Sequence, residues 1–237
     1  MEEKFNGIVL GGVNYGENDR ILSILTLEKG VISAKIKGVK KAGAKLKFAQ
    51  EPFCFAEFVF FTRGDKRNVK TASLIDSFYS IREDIEKFFA GGAVLEFAKK
   101  FTQENQSAPN AFALVLSTLK ELAYGDKSPR TTLINFLLNA LKIEGYQIKV
   151  GECLECGTKT PLRVFFDLSK GGFYCENCVM EGAREIKATT LQALRDASAF
   201  KEVDKIYATD ALKFLEYYLY NETDESIKSL KELIKMG

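Results

Sequence analysis

The feature that most constrains this 237-residue chain is a double cysteine couple in a sequence without histidine: Cys153 and Cys156, then Cys175 and Cys178, spaced C-x2-C, x18, C-x2-C. Each C-x-x-C turn can aim two thiolates at one point. A tetrahedral ion needs four donors at about 2.3 Å, so two such turns complete one shell. Gly157 follows the first couple and Gly171-Gly172 precede the second, which suits sharp turns, and Val164, Phe165 and Phe166 predict a strand between them. The pattern is that of a zinc ribbon with one structural zinc, because a catalytic zinc keeps an open position and usually employs histidine. A four-thiolate iron–sulfur cluster meets the same donor count and stays open as an alternative. Two disulfides or a redox pair fit poorly with a compartment that keeps thiols reduced. The fifth cysteine, Cys54, sits in an apolar run and reads as a core residue.

With 46% hydrophobic residues the chain can bury a substantial core. Its longest apolar stretch, around Pro52 to Phe61, is interrupted by Glu57 and is too short to span a bilayer. The acidic start Met1-Glu2-Glu3 is unlike a signal peptide, so no membrane association and cytoplasmic residence are expected. Lys and Arg number 34 against 32 Asp and Glu, and a net charge of +2 points to no partner by itself. The distribution says more: Lys29, Lys35, Lys37, Lys40, Lys41, Lys45 and Lys47 fall between residues 29 and 50 without one acid among them.

Apolar or β-branched runs at Gly7 to Val13, Arg20 to Thr26, Val31 to Val39, Pro52 to Thr62 and Val69 to Phe78 predict five strands and a small barrel. The runs Phe53 to Ala56 and Phe58 to Phe61 are nearly continuous, which predicts a strand covered on both faces. From Ile81 the period becomes helical, through Ile85, Phe88, Phe89, Leu95, Phe97, Ala98 and Phe101. Further helices are expected at Pro109 to Ala123, from the Ser128 cap and Pro129 to near Gly145, and at Thr189 to Phe200, Asp210 to Tyr220 and Asp224 to Met236. The expected class is α+β: a barrel over 1–80, the first part of a helical domain over 81–150, the inserted four-cysteine module over 151–182 and closing helices over 183–237.

Catalytic signatures are lacking. Gly11-Gly12 and Gly91-Gly92 stand outside any phosphate-cradling pattern and read as a strand bend and a helix junction. Without histidine the common hydrolase triads are closed off, and Glu17, Asp19 and Arg20 read as solvated turn residues. The expectation is a protein that is not an enzyme. Residues 38–47 join glycines to Lys40, Lys41, Lys45 and Lys47, which suits a loop following a phosphate backbone without reading bases. Lys35 and Lys37 share the solvent face of the preceding strand. Arg63, Lys66, Arg67 and Lys70 form a second basic stretch, opposed by Asp65, which could flank the same groove. Tyr15, Phe48 and Tyr79 would stack on bases if exposed, but core packing is the favoured reading.

The order of parts carries a resemblance. Gly7-Ile8-Val9-Leu10, Tyr15 to Ile21, Thr26, Gly30, Lys37-Gly38 and Gln50-Glu51-Pro52-Phe53 resemble the amino-terminal barrel of the RecO recombination-mediator family. Phe136-Leu137-Leu138 with Leu141 and Gly145, then Cys153 to Gly157, Gly171-Gly172 and Cys175 to Cys178, resemble its helix-plus-knuckle segment. The resemblance implies an OB-fold followed by a helical domain with a zinc module. It implies binding of single- and double-stranded DNA, annealing of complementary strands, and engagement of single-strand-binding protein through that protein's acidic tail. It also implies work with RecR to load the RecA recombinase, at the nucleoid. The candidate DNA contacts are Lys35, Lys37, Lys40, Lys41, Lys45 and Lys47, with Arg20, Arg63, Lys66 and Arg67. Many members carry arginines after the glycine matching Gly38, where this chain has Val39-Lys40-Lys41, so point charges replace bidentate contacts. The alternative function is a zinc-ribbon protein-docking module that touches DNA incidentally.

Overall fold

A computed structural model describes residues 1–64 and 66–237, so Asp65 lies outside the described residues. The chain forms two compact units, Met1–Tyr124 and Gly125–Gly237.

The first unit is built on five strands: β1 (Glu2–Tyr15), β2 (Asp19–Thr26), β3 (Gly30–Ile36), β4 (Phe55–Arg63) and β5 (Lys66–Asp76). They close into a barrel of order β1-β2-β3-β5-β4. Strand β1 makes closure possible because its first half pairs with β4 and its second half with β2. The register shifts between Val9 and Gly11, the bend expected at the glycine pair. Inside the barrel lie Val9, Leu22, Ile24, Ile32, Ala34, Ile36, Ala56, Phe58 and Phe60. Phe58 and Phe60 stack with ring centroids 5.8 Å apart. Burying each ring stabilises the fold by about 2–3 kcal/mol relative to exposure. The apolar run of β4 is covered on both faces only in its first half: Phe55 meets Phe112 edge-on, whereas Phe61 is 51% exposed.

Helices α1 (Ile85–Phe101) and α2 (Pro109–Tyr124) fall in this unit. The physical reason is a second apolar layer outside the barrel, with Ile8, Leu25, Phe53 and Phe78 all buried beyond its interior. Helix α1 packs on β1 and β2, and the α1–α2 connection is stitched to the barrel by Asn105 N–H to Val31 O and Ala108 N–H to Leu27 O. Gly91 and Gly92 lie within α1 and form no junction. A Cβ on Gly91 would sit 2.9 Å from the Phe53 ring, so the glycine lets helix and ring approach.

The second unit holds α3 (Pro129–Ile143), a three-stranded antiparallel sheet of β6 (Val164–Asp167), β7 (Gly172–Cys175) and β8 (Arg184–Ile186), and helices α4 (Ala188–Ser198), α5 (Lys205–Thr223) and α6 (Lys228–Lys235). The Ser128 side chain caps α3 by accepting from Thr131 N–H. Helix α3 packs against α4 and α5 and buries most of its length. The sheet is keyed to the helices through Phe166, whose ring meets Phe214 edge-on at 4.8 Å. Arg195 on α4 donates to the carbonyls of Val150, Gly151 and Lys159 at 2.6, 2.9 and 2.7 Å and lies over the Phe173 ring.

Candidate metal centre and nucleic-acid interface

The two cysteine couples come from separate turns that backbone pairing fixes. Gly157 N–H closes the first turn on Cys153 O at 3.1 Å, and Cys178 N–H closes the second on Cys175 O at 3.0 Å. Gly171 has φ +59, and a Cβ there would lie 2.7 Å from Gln147 O, so the β6–β7 turn needs glycine. All four sulfurs lie within 4.8 Å of one another, and Cys156 Sγ is 3.6 Å from Cys175 Sγ. Four ligands at about 2.3 Å around a tetrahedral ion stand about 3.8 Å apart, so the donor set fits such an ion. Cys153 and Cys175 are buried, Cys178 is half-buried and Cys156 is exposed. Cys175 N–H points at Cys153 Sγ from 3.4 Å, support of the kind that stabilises a thiolate ligand. The amide and hydroxyl of Thr158 bring Cys156 down to about 6, into thiolate at neutral pH. Cys54, by contrast, is buried in the barrel, where desolvation pushes it up to about 11.

The lysine segment leaves the end of β3 and does not hang free. It folds as consecutive turns, with Lys41 N–H on Gly38 O, Ala44 N–H on Lys41 O and Lys47 N–H on Ala44 O. Val39 and Ala49 enter the barrel core and Leu46 and Phe48 pack against it, so the segment caps one barrel end. Its apolar residues point in and its cations out: Lys37, Lys40, Lys41, Lys45 and Lys47 are all exposed. None of the five is ion-paired with a described residue. Asp19 pins the start of the segment, accepting from Gly38 N–H at 2.8 Å and pairing with Lys35 at 2.8 Å. The Lys35 hydrogen bond, followed by the Gly38 amide, holds the Asp19 carboxyl below its ordinary value.

Other sequence candidates are engaged inside the fold. Lys35, paired with Asp19, also lies 4.3 Å over the Tyr15 ring. Arg20 donates to Gly12 O at 2.9 Å and to Gln50 Oε1 at 3.4 Å, so it fastens β1 to the capping segment and is no solvated turn residue. Arg67 pairs with Glu3 at 3.3 Å and donates to Asn105 Oδ1, and Lys70 pairs with Glu2. Arg63 and Lys66 are exposed. Parallel pairing sets Arg67 beside Ala34 and so Lys66 level with Ser33, midway along β3, while the lysine segment departs from the end of β3 at Ile36. At about 3.3 Å per residue, the four residues from Ser33 to Lys37 separate Lys66 from the start of the lysine segment by about 13 Å along β3. Tyr15 and Tyr79 are 52% and 62% exposed, against the core packing expected of them, while Phe48 does pack on the core. Sequence reading missed Arg195 and Arg130: the latter is fully buried and donates to Thr209 Oγ1 and Leu233 O. Their only signal was a position on a helix, and nothing in that separates a buried arginine from a solvated one.

Two family models match this chain. Residues 1–78 match the family described as Recombination protein O N terminal, and residues 82–231 match Recombination protein O C terminal. The chain belongs to the RecO family. Relatives named DNA repair protein RecO include that of Acetivibrio thermocellus, 34% identical over 193 residues covering 81% of this chain and 77% of the relative. That of Myxococcus xanthus is 31% identical, covering 98% of this chain and 97% of its own. That of Streptomyces coelicolor is 29% identical, covering 97% and 98%. The junction between the two family segments, at residues 79–81, falls before α1, so the carboxy-terminal segment begins within the first compact unit. The amino-terminal segment coincides with the closed barrel, the OB-fold of this family. Among the described residues no helix is long and apolar enough to cross a membrane.

Proposed function

We propose that this RecO-family protein is a non-enzymatic mediator of recombinational DNA repair. It binds single- and double-stranded DNA, anneals complementary strands and, with RecR, helps load the RecA recombinase onto DNA coated by single-strand-binding protein. The observation that carries the reading is the run of five exposed lysines on the barrel's capping segment, none ion-paired with a described residue. Annealing needs phosphate neutralisation that leaves base edges free, and lysine ammoniums held on a rigid cap supply this without reading sequence. The engaged cations Arg20 and Lys35 keep that surface in shape, and Arg63 and Lys66 form a second, minor patch for duplex DNA or RecR.

Cys153, Cys156, Cys175 and Cys178 would hold one zinc ion, which would supply a cross-link between the two turns and leave no open position for chemistry. The acidic tail of single-strand-binding protein calls for a basic-rimmed apolar pocket. The cleft of about 550 Å³ where Leu138, Ile148 and Leu154 meet Lys142 and Lys149, with Glu152 as its one acid, is the candidate place for it. Leu162, 85% exposed, and Met180, 56% exposed, favour protein docking as a further duty of the cysteine module. Substituting Lys40 and Lys41 together by Glu tests the reading: annealing should be lost while binding to single-strand-binding protein persists. Undiminished annealing would remove the lysine cap from the function.

A further inference from the structure

Beside the end of the lysine segment lies a cleft of about 320 Å³ whose walls include Phe48, Leu74 and Tyr79, with Glu51, Ser77 and Arg82 at its polar edge. Leu74 is 49% and Tyr79 62% exposed, which leaves an aromatic face and an aliphatic wall open to solvent. Arg82 is fixed there, donating from Nη1 to Ser77 O at 2.9 Å and from Nη2 to Pro52 O. It retains further N–H donors beyond those two. Phe48 belongs to the short 3-10 turn Lys47–Gln50, so the exposed Lys47 is its chain neighbour and Lys45 lies just before it.

We propose that this cleft receives one unstacked nucleobase of a single strand whose phosphates lie on Lys45 and Lys47. The proposal rests on the reading of the lysine segment as a DNA contact and makes it more specific. An apolar slot with a donor and an acceptor at one edge suits a flat heteroaromatic ring, and base–aromatic stacking tolerates any base. The Glu51 carboxylate repels phosphate, which keeps the backbone at the lysine rim and admits only the base. A base inside a duplex is stacked and paired, and it cannot enter. As two strands pair, the base is withdrawn, the cleft contact is lost and only phosphate contacts remain, which favours release of annealed product.

The test compares fluorescence anisotropy on a labelled oligothymidine single strand and on a duplex across a salt series. The proteins are wild type, Tyr79→Phe, Tyr79→Ala and Leu74→Glu, each checked for unchanged thermal melting. The expected result for Tyr79→Ala and Leu74→Glu is a loss of about 10-fold in single-strand affinity, the scale of one stacked base, with duplex affinity unchanged. Tyr79→Ala should also leave the salt slope unchanged, and Tyr79→Phe should match wild type. Tyr79→Ala binding single strands as tightly as wild type, or losing single and double strands equally, would overturn the cleft alone. The cleft would then be left to an apolar side chain of a protein partner. Wild type without salt-dependent affinity would overturn the DNA reading together with it.

Discussion

Arg195 holds the four-cysteine module to the helices by donating to three backbone carbonyls from α4. Methionine at this position keeps much of the packing over Phe173 but leaves those carbonyls without donors. Arg195→Met is expected to lower stability by about 2 kcal/mol, measured by urea unfolding, since hydrogen bonds to a charged group contribute about 1.5–3 kcal/mol. A change under about 0.5 kcal/mol would contradict the assignment. Gly91→Val forces methyl groups against Phe53 and Ile81 and should destabilise by about 1–3 kcal/mol, more than the helix gains from losing a glycine. Asp19 carries a pH dependence. Its folded carboxyl is depressed, so its contribution is complete above the unfolded value of about 3.9 and is lost as pH falls through the folded value. The Gly38 amide resonance, which reports that hydrogen bond, should titrate with a midpoint below about 3.9, and Asp19→Asn should abolish the step. A midpoint at or above that value would contradict the pairing.

At the scale of elements, the cysteine module is a small sheet whose loops have little core of their own, so the ion is expected to organise it. Chelation under denaturant-free conditions should release one zinc per chain, and Cys175→Ser should prevent its uptake. The amides of 147–186 should then exchange faster while the barrel stays protected. Uniform loss of protection through both units would contradict a local role. The module and the five strands were legible in the sequence because their signals are local: cysteine spacing, and alternation broken by glycine-rich turns. What was not legible depended on tertiary pairing. The side taken by α1 and α2 follows from Phe53 and Phe78 lying outside the barrel wall, and periodicity alone cannot say which surface a helix covers. The lysine segment looks like an open loop until Val39 and Ala49 are seen inside the barrel. Lys35 and Arg67 look like free cations until their acids, Asp19 and Glu3, arrive from other strands.

At the scale of the whole molecule, the proposed DNA contacts are lysines on the cap of the barrel unit, and the four cysteines and the cleft beside Lys142 and Lys149 belong to the helical unit. Lysines that make about five phosphate contacts on a single strand give a log–log salt slope of about −3.5. A solvated lysine face gives none. The separation also predicts that loss of the metal weakens partner engagement before it weakens DNA affinity. The most direct measurement is annealing of complementary strands coated with single-strand-binding protein, followed across a salt titration with metal-quantified wild type and with the Lys40→Glu, Lys41→Glu double variant. Zinc-loaded wild type should anneal with a rate that falls steeply with salt, and the variant should not anneal. Folded, zinc-loaded wild type that neither anneals nor binds DNA at any salt would contradict the proposed function.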